Sequence, residues 1–246
     1  MAINIYSVLN HLEAEGWQLI STEYKNLDTE LEMICPQGHK QTQTYRAWRK
    51  HPQCEICMAG DPFKGKKNKV PPKTDDTQRI LALDAATNIT GYSVYDDGAL
   101  VAYGIFKVDS DLDTTERINQ VKKWLIAAIQ SWSPDFIGLE DVQLQTFGQG
   151  QAQVKTYNTL ARLQGVLLDT IFENSIDHDI VSVNTWRKYC NVGEGVGREN
   201  KKKQAQDKVR LWYNQDCTQD EADAICIGKY FCGLLKNSKS SWGEDL

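Results

Sequence analysis

Residues 79–98 read RILALDAATNITGYSVYDDG, and their pattern decides the fold. Arg79–Asp84 is an apolar run of strand length that closes on a carboxylate. Gly91–Asp96, GYSVYD, reads as a second strand, and Asp97-Gly98 is a strong hairpin signal. Ala99–Val108 supplies a third. Outward from this meander, residues 114–132 place Ile118, Val121, Leu125, Ile126 and Ile129 at helical spacing. Asp135–Glu140, DFIGLE, is another buried strand ending in a carboxylate. Residues 152–173 read as a helix and Ile180–Val183 as a fifth strand, with helices over 200–213 and 219–233. Three strands in a meander, then helix, strand, helix, strand, helix, predict an α/β domain with a mixed five-stranded sheet and flanking helices.

Upstream, composition breaks once. Residues 63–73, FKGKKNKVPPK, hold five Lys, two Pro and no acid, which predicts an extended, solvated stretch. A basic Pro/Lys linker over 61–78 thus separates a segment of residues 1–60 from a domain of residues 79–246. The first segment opens with Ile5, Val8, Leu9 and Leu12 at helical spacing, and Gly16 stops that helix. Trp17–Ser21 and Leu31–Ile34 then read as a hairpin around a polar stretch. This small α+β core is marginal alone and calls for a staple.

The cysteines supply one. Cys35 and His39, in C-P-Q-G-H, precede Cys54 and Cys57, in C-E-I-C. Zinc takes four N/S ligands tetrahedrally, commonly as two chelating pairs on turns. The spacing predicts a structural Zn²⁺ with no open position. Incidental free thiols and a redox Cys-x-x-Cys are the competing readings, and no βαβ pattern of the thioredoxin kind surrounds the pair. Seven cysteines in the chain, an odd count, disfavour a disulfide framework. Between the pairs lie Tyr45, Arg46, Trp48, Arg49, Lys50 and His51. These admit two readings: contacts to phosphate and bases through Arg46, Arg49 and Lys50, or a core Trp48 with solvated charges.

In the larger domain four acids stand out by placement. Asp84 and Glu140 end strands, while Asp220 and Asp223 open the last helix, three apart and on one face. Chemistry in an α/β sheet collects at strand ends and adjoining helix termini. A carboxylate among Ala222, Ala224 and Ile225 is costly unless paired or bound to a metal. Mg²⁺ takes such oxygen ligands, and two ions about 3.5–4 Å apart can drive phosphodiester hydrolysis. Bland readings remain: strand-end surface acids, or an Asp220 that complements the helix dipole. Thr218 and Glu221 form a capping-box pattern in the same turn.

These runs are collinear with a known family. ILALDAATNITGYSVY at 80–95 resembles the first motif of RuvC-type Holliday-junction resolvases, and IGLED at 137–141 their strand-end Glu motif. LARLQGVLLD at 160–169, GEGVGRENKKKQAQDKV at 193–209 and DEADAICIGKY at 220–230 are similar to the segments that follow. The resemblance covers residues 79–233. It implies an RNase H-like fold, Mg²⁺ or Mn²⁺ as two catalytic ions, and Asp84, Glu140, Asp220 and Asp223 as the metal-binding catalytic acids. It also implies a homodimer acting on four-way DNA junctions and leaving 5′-phosphate and 3′-hydroxyl ends. Phe147 stands where such resolvases place an aromatic wedge; it either wedges the junction or packs. The first segment, outside the minimal bacterial enzyme, resembles a treble-clef zinc finger.

A net charge of -5 argues weakly against a nucleic-acid partner, but the charges are segregated. Residues 186–210 hold eight basic residues against three acids, among them Arg198, Lys201, Lys202 and Lys203. Gly193, Gly195 and Gly197 allow backbone to approach a phosphate. This predicts contact with the DNA backbone, with one Lys of 201–203 placed to stabilise transition-state charge. Trp186 with Arg187 reads as an anchor to the core. No apolar run reaches the roughly 18–20 residues that span a bilayer, and the first residues lack a signal-peptide pattern, so an intracellular, cytoplasmic setting is expected. The leading reading is a metal-dependent, structure-selective endonuclease. A related nuclease for flaps, single strands or RNA–DNA hybrids and a non-catalytic adaptor are the alternatives.

Overall fold

The computed structural model describes residues 4–36, 40–50, 52, 54, 70–143, 151–193 and 198–240. The chain divides into two compact units, Met1–Lys64 and Gly65–Leu246.

In the first unit, α1 (Ile5–Ala14) begins at Asn4, whose side chain accepts from the Ser7 amide at 2.9 Å. It buries Val8 and Leu12 and ends at Gly16, in the left-handed region with φ 74°. Strands β1 (Gln18–Leu19), β2 (Glu30–Ile34) and β3 (Lys40–Thr44) form an antiparallel sheet in that order. β3 was not expected. Its sequence, KQTQT, carries no apolar alternation, because it is an edge strand with no fully buried residue. α2 (Tyr45–Lys50) follows. Trp48 is core: it stacks on Tyr45 at 5.9 Å and meets Trp17 and His11 edge-on at 6.0 and 5.1 Å.

The second unit is built on a sheet of order β6-β5-β4-β7-β8. Its strands are β4 (Arg79–Asp84), β5 (Ile89–Asp96), β6 (Ala99–Lys107), β7 (Phe136–Glu140) and β8 (Asp177–Val181). β4, β5 and β6 are antiparallel, while β4, β7 and β8 run parallel, so the sheet is mixed as expected. Asp97 and Gly98 both have positive φ, the geometry of the tight primed turn their sequence signals. The helices are α3 (Thr114–Trp132), α4 (Gln151–Glu173), α5 (Val183–Tyr189), α6 (Arg198–Tyr213) and α7 (Gln219–Ser240). β8 lies earlier than the apolar run at 180–183 suggests, because it is an edge strand whose first residues, DHD, are exposed. Val183 instead starts α5, capped by Ser182, a helix the sequence reading lacked.

The two faces of the sheet are packed differently. On one, Tyr92 meets Trp124 and Trp132 of α3 at 5.5 and 5.2 Å, and Phe106 stacks on Trp124. On the other lies α7, and three glycines set how close it comes. A Cβ on Gly138 would sit 2.1 Å from the Phe231 ring. One on Gly228 would sit 2.5 Å from the Tyr95 ring, and one on Gly91 2.1 Å from the Asp220 carbonyl oxygen. No side chain fits at these points: at Gly91 the helix backbone itself meets the strand, and at Gly138 and Gly228 an aromatic ring of the opposite element fills the space. The Ser93 hydroxyl donates to the Ala224 carbonyl at 2.7 Å and the Tyr95 hydroxyl to the Ile225 carbonyl at 2.8 Å. These bonds fix the rotation and axial position of α7.

At the start of β4, Arg79 is buried. It donates to both carboxylate oxygens of Asp96 at 2.6 and 2.7 Å, and to the carbonyls of Trp132 and Pro71, each at 2.9 Å. Lys73 pairs with Asp135 and donates to the Ser133 carbonyl. The end of the proline–lysine stretch is therefore tied to the domain rather than solvated. Removing one partner of a buried ion pair strands the other charge. Arg79→Met should lower the stability of this unit by about 3–5 kcal/mol, with Arg79→Met/Asp96→Leu recovering much of the loss, as read by urea denaturation.

Candidate active site

Side chains alternate across a strand, so Asp84 shares the face of Ile80 and Ala82. Both pack in the core cluster that holds Ala222, Ile225 and Phe231 of α7. By the same alternation Glu140 shares the face of Phe136, whose ring lies 5.4 Å from that of Phe231. The parallel register pairs Leu83 with Leu139, which brings the next residues, Asp84 and Glu140, to the carboxyl ends of adjacent strands. Across β4, Asp84 pairs with Gly91 of β5, and it is on Gly91 that the Asp220 backbone rests. Asp223 follows on the same helix face, buried at 9% exposure. The four acids named from sequence therefore converge on one end of one face of the sheet.

The local helix start sorts the acids by task. Thr218 and Glu221 form the reciprocal cap: the Thr218 amide donates to the Glu221 carboxylate at 2.7 Å, and the Thr218 hydroxyl accepts from the Glu221 amide at 3.3 Å. Glu221 is thus committed to the helix terminus, which leaves Asp220 and Asp223 as the acids without that structural duty.

The Glu140 carboxyl is strongly perturbed. Burial pushes it up to about 7, and the charges of Asp223 and Asp141 push the same way. The Trp186 indole, which donates to Oε2 at 2.8 Å, and the charge of Arg187 oppose that rise. Gln164 of α4 donates to the Glu140 carbonyl at 3.2 Å. Sequence reasoning placed Trp186 in the core and missed this contact, because a tryptophan at a helical position carries no spacing signal for it.

A set of hard carboxylate oxygens, with Asp223 buried, Glu140 half-buried and the two mutually repulsive, fits a divalent cation of the Mg²⁺ type. Among the described residues, no three His, Cys, Asp or Glu side chains close around a single point. The backbones converge; the carboxylates do not form a finished cage.

The other candidates fall in several places. Arg46 is engaged by Asp28 at 2.6 and 3.0 Å. Arg49 lies 5.9 Å over the Tyr45 ring, and both Arg49 and Lys50 are exposed. Lys201 is half-buried and Lys203 exposed on α6, the helix that packs against α7. Phe147, His39 and Cys57, and the side chains of Arg198 and Lys202, lie outside the described residues. Cys35 and Cys54 are both buried in the first unit, at 3% exposure.

Comparison with known proteins gives a consistent result. The chain is 26% identical over 162 residues to the crossover junction endodeoxyribonuclease RuvC of Synechocystis sp., which covers 63% of this chain and 91% of the relative. It is 30% identical over 173 residues to the RuvC of Fusobacterium nucleatum subsp. nucleatum, covering 68% and 85%. In fold it is similar to the solved Thermus thermophilus RuvC, with a TM-score of 0.51 at 14% identity over 65% of this chain and 97% of that one. The same protein in complex with a Holliday junction substrate gives a TM-score of 0.50 at 12% identity, over 65% and 96%. The profile of the family described as crossover junction endodeoxyribonuclease RuvC matches residues 80–229, the stretch from the second residue of β4 to α7 that carries all four converging acids. The chain therefore belongs to the RuvC family.

Proposed function

We propose that this protein is a divalent-metal-dependent endonuclease that resolves four-way DNA junctions, with Asp84, Glu140, Asp220 and Asp223 as its metal-holding acids. The observation that carries the reading is the seating of α7 on Gly91, which brings the Asp220–Asp223 turn beside the carboxyl ends of β4 and β7. The RuvC relatives bear the name of this activity over the same stretch of chain. Divalent cations held there would lower the pKa of a water and stabilise the leaving oxygen in phosphodiester hydrolysis. The protein's own part is to fix the oxygen ligands, exclude excess water with the buried face of α7, and present positive charge from α5 and α6 to the DNA backbone. Cleavage would leave 5′-phosphate and 3′-hydroxyl ends, and a homodimer would place one such site on each of two opposed strands. No helix among the described residues is long and apolar enough to cross a membrane.

The first unit is read as a module stapled by a structural Zn²⁺ on Cys35, His39, Cys54 and Cys57. Its support is the burial of Cys35 and Cys54 in a core too small to be secure unaided. Arg49 and Lys50 are its exposed candidates for DNA contact.

Three outcomes test these readings. Purified protein should nick four-way junctions symmetrically with Mg²⁺ and cut flaps and RNA–DNA hybrids poorly. Asp84→Asn or Glu140→Gln should lower that rate about a hundredfold or more, and retained activity would overturn the site. Elemental analysis should find one zinc per chain, lost in Cys54→Ser together with a shift in tryptophan emission, since Trp17 and Trp48 report on that core. The third outcome is a pH effect without added divalent cation. The Glu140 carboxyl stands near 7 in the folded chain against an ordinary 4.5, so between these values the folded state holds the extra proton. Stability should therefore fall as pH rises from about 5 to 8, and Glu140→Gln should flatten the slope in urea titrations.

A further inference from the structure

We propose that Trp186 is a positioning residue of the metal site: its indole N–H holds one oxygen of the Glu140 carboxylate and leaves the other directed at a cation. This rests on the reading of Glu140 as a metal ligand. The indole is fully buried, and its only polar atom lies 2.8 Å from Glu140 Oε2. Burial alone does not require such a bond in this fold. The indole nitrogens of Trp48 and Trp124 are equally buried and have no hydrogen-bond partner among the described residues.

The chain path explains how the contact is built. Val181, the last residue of β8, is the register partner of Glu140, and its carbonyl accepts from the Asp141 amide at 2.8 Å. Ser182 then caps α5, accepting from the Thr185 amide at 3.2 Å, and Trp186 follows within the first turn. The segment that pairs with the Glu140 backbone thus also delivers the indole to its side chain. The ring is confined by burial. It belongs to the buried core cluster that also holds Phe136, Val192 and Val209, and the Arg187 guanidinium lies 5.1 Å from its centre. Gln164 holds the Glu140 carbonyl from the side of α4. With the backbone and Oε2 both held, the Glu140 carboxylate has little freedom to rotate, and Oε1 is the oxygen the indole leaves open to a metal. Partners of this kind behind a ligand commonly carry a 10–100-fold share of metal affinity.

The test is calorimetric titration of Mn²⁺ into the full-length protein without DNA, in a two-by-two set. Trp186→Phe keeps the buried ring and removes the donor; it should weaken Mn²⁺ binding about tenfold. In a Glu140→Gln background, already weakened, the same substitution should change nothing further, because the indole acts through the carboxylate. Trp186→His, which keeps a ring N–H, should bind more tightly than Trp186→Phe, and thermal melting of each variant checks that the fold persists. Wild-type affinity in Trp186→Phe, or an equal loss in both backgrounds, would overturn the proposal while leaving Glu140 a ligand. Unchanged affinity in Glu140→Gln alone would overturn the metal-site reading and this proposal with it.

Discussion

The contact on which the rest of this domain depends is the close approach of α7 to the sheet, backbone on backbone at Gly91 and glycine against an aromatic ring at Gly138 and Gly228. Gly91, Gly138 and Gly228 each occupy a point where a β-carbon would collide with the opposite element. Two side-chain hydroxyls from β5 then reach carbonyls of the helix. A helix held this way has little freedom to roll or slide. The sheet delivers its acids by strand register and the helix by its seating, and both are backbone properties before they are side-chain properties.

Electrostatics pulls the other way. Acids gathered at one end of a sheet, two of them largely buried, repel one another, and burial drives the Glu140 carboxyl toward its neutral form. The interior offers partial relief through the Trp186 N–H and the field of Arg187. Full relief calls for a multivalent cation. The overall charge of -5 conceals this division between an acidic pocket and the basic helices beside it. Arg79 shows the contrasting solution within the same sheet: a buried charge whose donors are met by a carboxylate and two carbonyls, for stability alone.

What the sequence displayed was whatever burial writes into it. RILALD and DFIGLE are apolar because both faces of β4 and β7 are covered, and their closing acids are conspicuous for that reason. The strands β3 and β8 escaped or shifted because edge strands need no apolar face. α5 escaped because it is only seven residues long, too short for periodicity to register. The four acids were legible as a set through spacing and family resemblance. The indole behind Glu140 was not, since its role lies in one hydrogen bond between elements 46 residues apart. The glycines were visible as letters, but their purpose depends on what faces them.

The seating of α7 has a mechanical side. From Phe231, lodged against Gly138, to Asp223 is eight residues, or about 12 Å along the helix axis. A tilt of about 5° around that pivot would swing Asp223 by about 1 Å, a displacement of the size that can cost a catalytic site some hundredfold in rate. The helix is held against such a tilt at both ends of that span, by Phe231 in the core and by Gly91, Ser93 and Tyr95 beside the acids. Contacts that meet no phosphate and no metal thereby limit how far the acid-bearing turn can swing.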